Sequence, residues 1–157
     1  MASDIVLTKE GLQEVKEELE HLKSVHRKEV ADRLRNSKQF GEFLENSEYE
    51  EAKTEQAFVE GRILELQRIL QHAVVIDESQ IPRGRVGIGS RVKLRDLASG
   101  EEFEYRIVGP VEADPANGMI SNESPVGRAL LDRKPGERVK VDTPAGSWEY
   151  LVVSLAS

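Results

Sequence analysis

The chain has 157 residues, of which 32% are charged and 38% hydrophobic; it has no cysteine, and its net charge is −7. This length predicts one ordinary domain or two small ones, since domains typically span about 100–150 residues. The composition excludes disulfides and cysteine-ligated zinc, and the net charge argues against binding nucleic acid through a basic surface. With no membrane-length apolar run and no secretion signal, we expect a cytoplasmic protein.

Charge and turn residues divide the chain into two halves. Residues 1–78 hold 11 Lys or Arg against 18 Asp or Glu, whereas residues 79–157 hold 11 of each. All six prolines and nine of the twelve glycines lie in the second half. This contrast predicts a helical N-terminal domain over residues 1–78 and a β-rich C-terminal domain over residues 79–157.

The first half has the periodicity of a coiled-coil hairpin. Its apolar residues recur at steps of three, four and multiples of these, which places them in one narrow stripe on a helix. Thr8 is the predicted N-cap, and the stripe breaks over residues 39–46. We therefore predict two antiparallel helices of about 30 residues, each roughly 45 Å long. The stripe residues are Leu12, Val15, Leu19, Leu22, Val30, Leu34, Ala52, Val59, Ile63, Leu66 and Leu70.

The predicted turn of the hairpin is unusually acidic. Five glutamates fall between Glu42 and Glu51, with no base between Lys38 and Lys53. Acidic residues in the first turn of a helix interact favourably with the helix dipole. This ordinary explanation fits Glu48, Glu50 and Glu51. It fits Glu42 and Glu45 poorly, because they lie in the turn itself. Two carboxylates at this spacing suit a hard cation such as Mg²⁺, although a pair of surface acids is more often simply solvated.

The second half has the pattern of short strands separated by glycine and proline. Alternating polar and apolar residues predict an antiparallel sheet, and one short helix is predicted over Ser124–Leu131. No Ser/His/Asp or Cys/His set is present, and His21, His26 and His72 are expected to be surface or seam residues. The predicted strands are Arg91–Leu94, Glu102–Gly109, Arg138–Val141 and Trp148–Val153.

The turn carries a motif that resembles a known signature. Residues 41–49 read Gly-Glu-Phe-Leu-Glu-Asn-Ser-Glu-Tyr, which is similar to the tip of bacterial Gre transcript cleavage factors of the GreA type. That tip usually reads Gly-Asp-Leu-x-Glu-Asn-Ala-Glu-Tyr, so Glu42 and Phe43 depart from it. The resemblance spans essentially the whole chain, with further matching stretches at residues 7–11, 60–63, 105–109, 112–114, 120–121 and 124–131.

The resemblance implies an α+β fold, with an N-terminal antiparallel coiled-coil hairpin and a C-terminal FKBP-like antiparallel β-sheet domain with a short helix. It implies a monomer that binds RNA polymerase at the rim of the secondary channel and passes its coiled coil down to the active site. The factor is then not an enzyme itself: it stimulates the polymerase to cleave the 3′ end of the nascent RNA in backtracked complexes. No membrane partner is expected.

The resemblance also implies roles for individual residues. Glu42 and Glu45 correspond to the catalytic acids that help to hold Mg²⁺ within the polymerase active site, with no metal expected in the free protein. Other tip contacts correspond to Phe43, Asn46, Ser47 and Tyr49, and the basic side that faces the transcript corresponds to Lys38 and Lys53. The segment that docks on polymerase is expected to include Ser121, Ser124, Pro125 and Arg128.

Two other functions stay open. Glutamate at position 42 adds a methylene to the usual aspartate, and a displacement of about an ångström can cost roughly 100-fold in a positioned site. The alternative hypothesis is therefore a Gre-like inhibitor that occupies the secondary channel without stimulating cleavage. A prolyl isomerase or chaperone with a coiled-coil arm is less favoured, because the second half offers few aromatic residues for a proline pocket.

Overall fold

The computed structural model describes residues 4–39 and 47–156. These residues form two compact units. We call residues 12–72 the arm, and residues 4–11 together with 73–156 the sheet domain. This grouping differs from the predicted division after residue 78, because β-strand pairing joins the start of the chain to the residues that follow the arm.

The arm consists of two long helical stretches, which confirms the predicted hairpin. The first comprises α1 (Lys9–His21), whose first turn belongs to the sheet domain, a π-helical turn (Leu22–His26) and α2 (Arg27–Gln39); the second is α3 (Ser47–His72). Ion pairs cross between the stretches, with Arg62 bound to Glu18 and Arg27 bound to Glu60. The side chains buried between them are Val15, Leu22, Val30, Ala52, Val59, Ile63, Leu66 and Ile69.

The π-helical turn explains a gap in the apolar stripe. Leu22 and Val30 are both buried although they are eight residues apart. Two α-helical turns take only about 7.2 residues, so eight would carry the second side chain past the seam. A π turn accommodates about one additional residue, because its hydrogen bonds run from i to i+5. One π turn followed by one α turn therefore returns Val30 to the buried face.

The sheet domain contains two sheets. Strands β1 (Ile5–Thr8) and β2 (Ala73–Ile76) pair in parallel, and the larger sheet has the order β5-β4-β3-β7-β6. All four predicted strands are present, whereas β1, β2 and β5 were not predicted. Strand β5 runs parallel to β4, unlike the other pairs of this sheet. The larger sheet comprises β3 (Arg91–Asp96), β4 (Glu102–Val108), β5 (Met119–Ser121), β6 (Arg138–Thr143) and β7 (Gly146–Ala156).

One face of the larger sheet carries the hydrophobic core. Helix α4 (Pro125–Leu130) contributes Leu130, which is fully buried against the sheet. The inward-facing residues alternate with charged ones along β3 and β6, as expected when one face of a sheet is solvated. The buried cluster comprises Val86, Val92, Leu94, Ile107, Ile120, Leu130, Val139, Val141 and Val152.

Thr8 caps the first helix, as predicted. Its hydroxyl oxygen accepts a hydrogen bond of 3.1 Å from the Gly11 backbone N–H. The Glu112 carboxylate accepts bonds from the Thr8 backbone N–H, at 2.7 Å, and from the Thr8 hydroxyl. In a capping box, a glutamate at the third helical position accepts a hydrogen bond from the backbone N–H of the N-cap residue. Glu112 accepts that bond here. Gly11 occupies that position, and the atoms nearest to a Cβ placed there all belong to Glu112.

This arrangement predicts that Gly11→Ala lowers the free energy of unfolding when residue 112 is glutamate and raises it when residue 112 is alanine. Glu112→Ala should lower the free energy of unfolding of the sheet domain by about 1–3 kcal/mol, because Thr8 is buried and loses its acceptor. Gly11→Ala alone should be destabilising, since it displaces that carboxylate. In the Glu112→Ala background it should stabilise by up to about 1 kcal/mol through helix propensity. Urea unfolding followed by the fluorescence of Trp148 measures all four combinations; destabilisation by Gly11→Ala in both backgrounds would contradict the cap.

Candidate functional site at the end of the helical hairpin

The structure describes some of the predicted tip residues and leaves others out. Glu42, Phe43, Glu45 and Asn46 belong to residues 40–46, which lie outside the described residues. Their flanks are described: Lys38 lies in the last turn of α2, and Ser47 begins α3. The acidic segment 40–46 therefore connects these two helix ends in the chain.

Three of the predicted tip residues come together in one groove. Lys53 Nζ lies 5.8 Å from the centre of the Tyr49 ring, one turn away on α3, a geometry that attracts a cation to an aromatic face. Tyr49 and Lys53 line a groove together with Lys38 of the opposite helix. Arg35 lines the same groove and was not predicted; its spacing of three from Lys38 was the available signal. Cationic groups beside an aromatic ring suit a phosphate and a stacked base.

The acids of the first turns of α3 line different grooves. Glu48 and Glu51 line one with Arg33, and Glu50 lines another with Glu51 and the exposed Phe58. Glu48 and Glu50 lie in the first turn, where negative charge stabilises a helix, so their ordinary explanation holds. Among the described residues, these two grooves thus contain acidic side chains, whereas the groove of Tyr49, Lys38 and Lys53 is lined by basic side chains and by no acid.

No cluster of three or more metal-ligating side chains occurs among residues 4–39 and 47–156. The carboxylates of Glu42 and Glu45 are oxygen donors of the kind that Mg²⁺ prefers. Mg²⁺ takes about six oxygen ligands, so two carboxylates would leave most of its coordination to water and to groups outside this chain.

Ion pairs hold the helices of the arm together. Arg62 donates two hydrogen bonds to Glu18, at 2.7 and 2.9 Å, and these bonds lower the pKa of the Glu18 carboxyl. The Glu55 carboxylate pairs with His26 at 2.7 Å and with Arg33, and both partners lower its pKa. Glu55 therefore ties the π-helical turn and α2 to α3.

The pKa of Glu18 predicts a pH effect on the stability of the arm. Because the folded-state pKa lies below the ordinary value of 4.5, the stabilisation is present above that pH and is lost as the pH falls through the folded-state pKa. Glu18→Gln should lower the Tm at pH 7 by about 2 °C, corresponding to about 0.5 kcal/mol for an exposed pair. The difference from the unmodified chain should shrink progressively as the pH falls below 4.5, as measured by circular dichroism. The control is Glu14→Gln, which removes an exposed acid with no ion pair to any described residue; an equal effect would exclude the Arg62 pair as the cause.

The predicted docking residues lie at the end of β5, where Ser121 is the last residue, and at the N-cap and in the helix of α4. The Ser124 hydroxyl accepts a 3.0 Å bond from the Gly127 N–H and donates one of 2.7 Å to the Ser121 carbonyl. Pro125 occupies the first helical turn, where its missing N–H costs nothing. Ser124 and Pro125 therefore have structural roles that account for them without a partner, whereas Arg128 is exposed.

None of the described helices is both long and apolar enough to cross a membrane.

The fold and the hairpin end define a class of proteins that carry an ion-paired coiled-coil arm together with a small β-sheet domain. Family models agree with this class in both parts of the chain. "Transcription elongation factor, N-terminal" matches residues 5–75, and "Transcription elongation factor, GreA/GreB, C-term" matches residues 81–157. The chain belongs to the GreA/GreB family of transcription elongation factors and is of the GreA type.

Similar proteins include several bacterial sequences named transcription elongation factor GreA. The one from Caldanaerobacter subterraneus subsp. tengcongensis is 53% identical over 93% of this chain and 93% of its own length. That from Clostridium kluyveri is 48% identical over 96% of this chain and 94% of its own. Among solved structures, GreA factor homolog 1 (Gfh1) of Thermus thermophilus is 33% identical, with a TM-score of 0.46 over 99% of this chain and 100% of that chain.

Proposed function

We propose that this protein binds bacterial RNA polymerase, inserts its arm into the secondary channel and stimulates Mg²⁺-dependent cleavage of the RNA 3′ end in backtracked, arrested complexes. Membership of the GreA/GreB family supports the role in transcription elongation. The observation that carries the finer proposal is the arm: two ion-paired helices lead to a segment that holds Glu42 and Glu45. In this proposal the protein is not the catalyst but completes the active site of the polymerase.

The chemistry of the segment fits that role. When bound, Mg²⁺ activates water and stabilises charge at phosphorus. Glu42 and Glu45 are the residues of this chain that would hold it, with the remaining ligands supplied by the polymerase. The groove of Tyr49, Lys38 and Lys53 offers cationic and aromatic groups that suit the displaced RNA end. A net charge of −7 favours approach to a positively charged channel.

The test is cleavage of 3′-labelled RNA in a stalled, backtracked elongation complex at fixed Mg²⁺. Short labelled 3′ fragments should form faster when the protein is present. If cleavage is not accelerated and nucleotide addition slows, the protein is an inhibitor that occupies the channel. Absence of both effects, together with no binding to polymerase, would contradict the proposal as a whole.

The inhibitor is the second candidate, favoured by glutamate at position 42. A matched variant, Glu42→Asp, restores the residue that is usual in the tip signature. If the longer side chain misplaces its carboxylate, Glu42→Asp should accelerate cleavage well above the unmodified chain. If the unmodified chain already stimulates cleavage and Glu42→Asp changes the rate little, glutamate performs the role and the inhibitor is excluded.

A further inference from the structure

Helix α3 carries a second stripe of residues on the side that faces away from the buried seam. Its members recur at steps of four and three, as the seam residues do, but every one of them is exposed. A helix turns by about 100° per residue, so this spacing keeps them on one face. We call this face the outer stripe; its members are Glu50, Thr54, Ala57, Gly61, Leu64 and Arg68.

Two large apolar side chains flank the middle of the outer stripe. Phe58 and Leu64 are 66% and 68% exposed, the two highest values among the large hydrophobic side chains of residues 4–39 and 47–156. Each lies three residues from Gly61, one before it and one after it. Apart from the chain neighbours of Gly61 and the backbone of its helix, no described atom lies within 4 Å of the point that a Cβ there would occupy. A second helix can therefore approach α3 closely at Gly61, between two apolar side chains that have not been buried.

The two ends of the outer stripe carry opposite charges. Glu50 and its neighbour Glu51 lie at the start, and Arg68 lies at the end, with His72 about one turn further along α3. The ion pairs of the described part of the arm include none of these four side chains. Their charges are therefore available to a partner.

A groove beside the first half of the outer stripe complements the second half. The ring of Phe58 gives this groove an apolar wall, and carboxylates surround it. Those groups suit an apolar side chain followed, one turn later, by a guanidinium. Leu64 and Arg68 are such a pair, four residues apart on the same helix. The residues that line the groove are Glu50, Glu51, Thr54, Glu55 and Phe58.

We propose that the outer stripe is the contact surface for a second copy of this chain, with the two α3 helices antiparallel and crossing at Gly61. Antiparallel helices place at the same level two residues that lie equally far from the crossing point, one before it and one after it. Leu64 of one copy is then level with Phe58 of the other. Arg68 is likewise level with Thr54, beside the acidic groove. Each copy thus supplies the side chains that the groove of the other suits.

The charges of the outer stripe decide the direction of pairing. Parallel helices would oppose Glu50 to Glu50 and Arg68 to Arg68, and like charges across an interface are unfavourable. Antiparallel helices oppose each acidic end to a basic end, so α3 complements itself in this direction alone. The contact would be about 27 Å long and about 10 Å wide, which is below the roughly 1,200 Å² that stable interfaces bury. The dimer is therefore weak, and the monomer that the resemblance implies is its form at low concentration.

Cysteine cross-linking tests the geometry, because the full-length chain has no cysteine of its own. Gly61→Cys should form a disulfide between two copies, since at the crossing point the two Cα atoms come within the roughly 7 Å that a disulfide requires. Arg68→Cys should not cross-link to itself, because its two copies would lie about 21 Å apart along the helices, but it should cross-link to Thr54→Cys in a mixture. The control is Lys16→Cys, an exposed position on α1. Gly61→Cys should cross-link about tenfold faster than this control or more.

Sedimentation velocity over a range of protein concentrations measures the association itself. Arg68→Glu should weaken it about fivefold or more, and so should Glu50→Arg, because each substitution replaces an attraction by a repulsion twice in a symmetric dimer. The two substitutions in one chain should restore it, since the opposite charges then meet again. Leu64→Glu should abolish association. All these side chains are exposed, and circular dichroism checks that the helices are retained.

Three results would overturn the proposal. The first is an unmodified chain that stays single at the highest concentration, with Gly61→Cys cross-linking no faster than Lys16→Cys. The second is self-cross-linking of Arg68→Cys as fast as that of Gly61→Cys, which would mean parallel or unspecific pairing. The third is a chain that stays single while Leu64→Glu weakens its binding to polymerase, because the outer stripe would then contact polymerase. The first two experiments contain no polymerase, so the proposed function stands or falls separately.

The dimer has one consequence that rests on the proposed function. Two paired arms are about twice as wide as one, so a channel that admits a single arm would not admit the pair. The oxidised Gly61→Cys dimer should therefore stimulate RNA cleavage much less than the same chain after reduction. Equal stimulation by both would overturn this consequence, whereas no stimulation by the reduced chain or by the unmodified protein would contradict the proposed function itself.

Discussion

Replacing Glu45 with alanine is expected to slow stimulated RNA cleavage about 100-fold or more while leaving polymerase binding unchanged. The proposed role of this carboxylate is to hold Mg²⁺, and an alanine offers no oxygen in its place. Glu45→Gln keeps the size of the side chain but removes its charge, so it should lose nearly as much. The measurements are single-turnover cleavage of 3′-labelled RNA at saturating protein, and competition with labelled, unmodified protein for polymerase.

The matched control is Glu50→Ala, which removes an exposed acid that follows Glu45 by five residues in the sequence. Its side chain lies in the first turn of α3, where it stabilises the helix end by less than about 1 kcal/mol. Cleavage with Glu50→Ala should therefore stay within a few-fold of the unmodified chain. Loss of binding in Glu45→Ala would instead make the tip a docking element. An equal loss in both variants would show that total charge at the tip matters rather than a positioned ligand.

The spacing of apolar residues predicted the helices of the arm but not the contacts between them. Steps of three and four predicted both helices, because burial along a helix follows its own period. The sequence pattern counts the eight-residue step from Leu22 to Val30 as two steps of four, although two α-helical turns take only about 7.2 residues. The π-helical turn at this point accounts for the difference. The ion pairs of Glu55 with His26 and Arg33 were not predictable, since they depend on the register between helices.

The helix cap shows where the sequence stops being informative. Thr8 was predicted as the N-cap from its position alone, and its bond to Gly11 confirms this. The partner that completes the cap, Glu112, is 104 residues away. No local pattern marks such a contact. Strand β5 was missed for a related reason: three residues are too few for an alternating pattern, and its parallel pairing with β4 is set by tertiary packing.

For the candidate site, the motif grouped Lys38, Tyr49 and Lys53, and the structure places them around one groove. The spacing of four between Tyr49 and Lys53 made their contact predictable once α3 was assigned. Arg35 was missed because it lies three residues before Lys38, outside the stretch for which the resemblance implied roles. The roles of Glu42 and Glu45 stay a prediction that the cleavage experiment decides.

Gly127→Ala is expected to destabilise the sheet domain by about 2–3 kcal/mol, although alanine has a higher helix propensity than glycine. A Cβ at this position would overlap the carbonyl oxygen of Ser121 and come within 2.9 Å of the Ser124 hydroxyl. Neither group can simply move away, because the Ser121 carbonyl accepts bonds from the Ser124 N–H and hydroxyl, at 3.0 and 2.7 Å. The substitution must therefore break this cap or push α4 away from the core.

Gly61→Ala provides the matched comparison, because Gly61 also lies in a helix but, apart from its chain neighbours and the backbone of that helix, no described atom stands within 4 Å of the point that an alanine Cβ would occupy. There the same substitution should stabilise the arm by about 0.5–1 kcal/mol. Urea unfolding followed by Trp148 fluorescence reports the sheet domain, and circular dichroism reports the arm. Because the predicted docking residues Ser121, Ser124 and Arg128 surround Gly127, Gly127→Ala should also weaken polymerase binding, whereas Gly61→Ala should not. Stabilisation by both alanines would contradict the close approach of Gly127 to Ser121, and the glycine of this motif would then need an explanation outside packing.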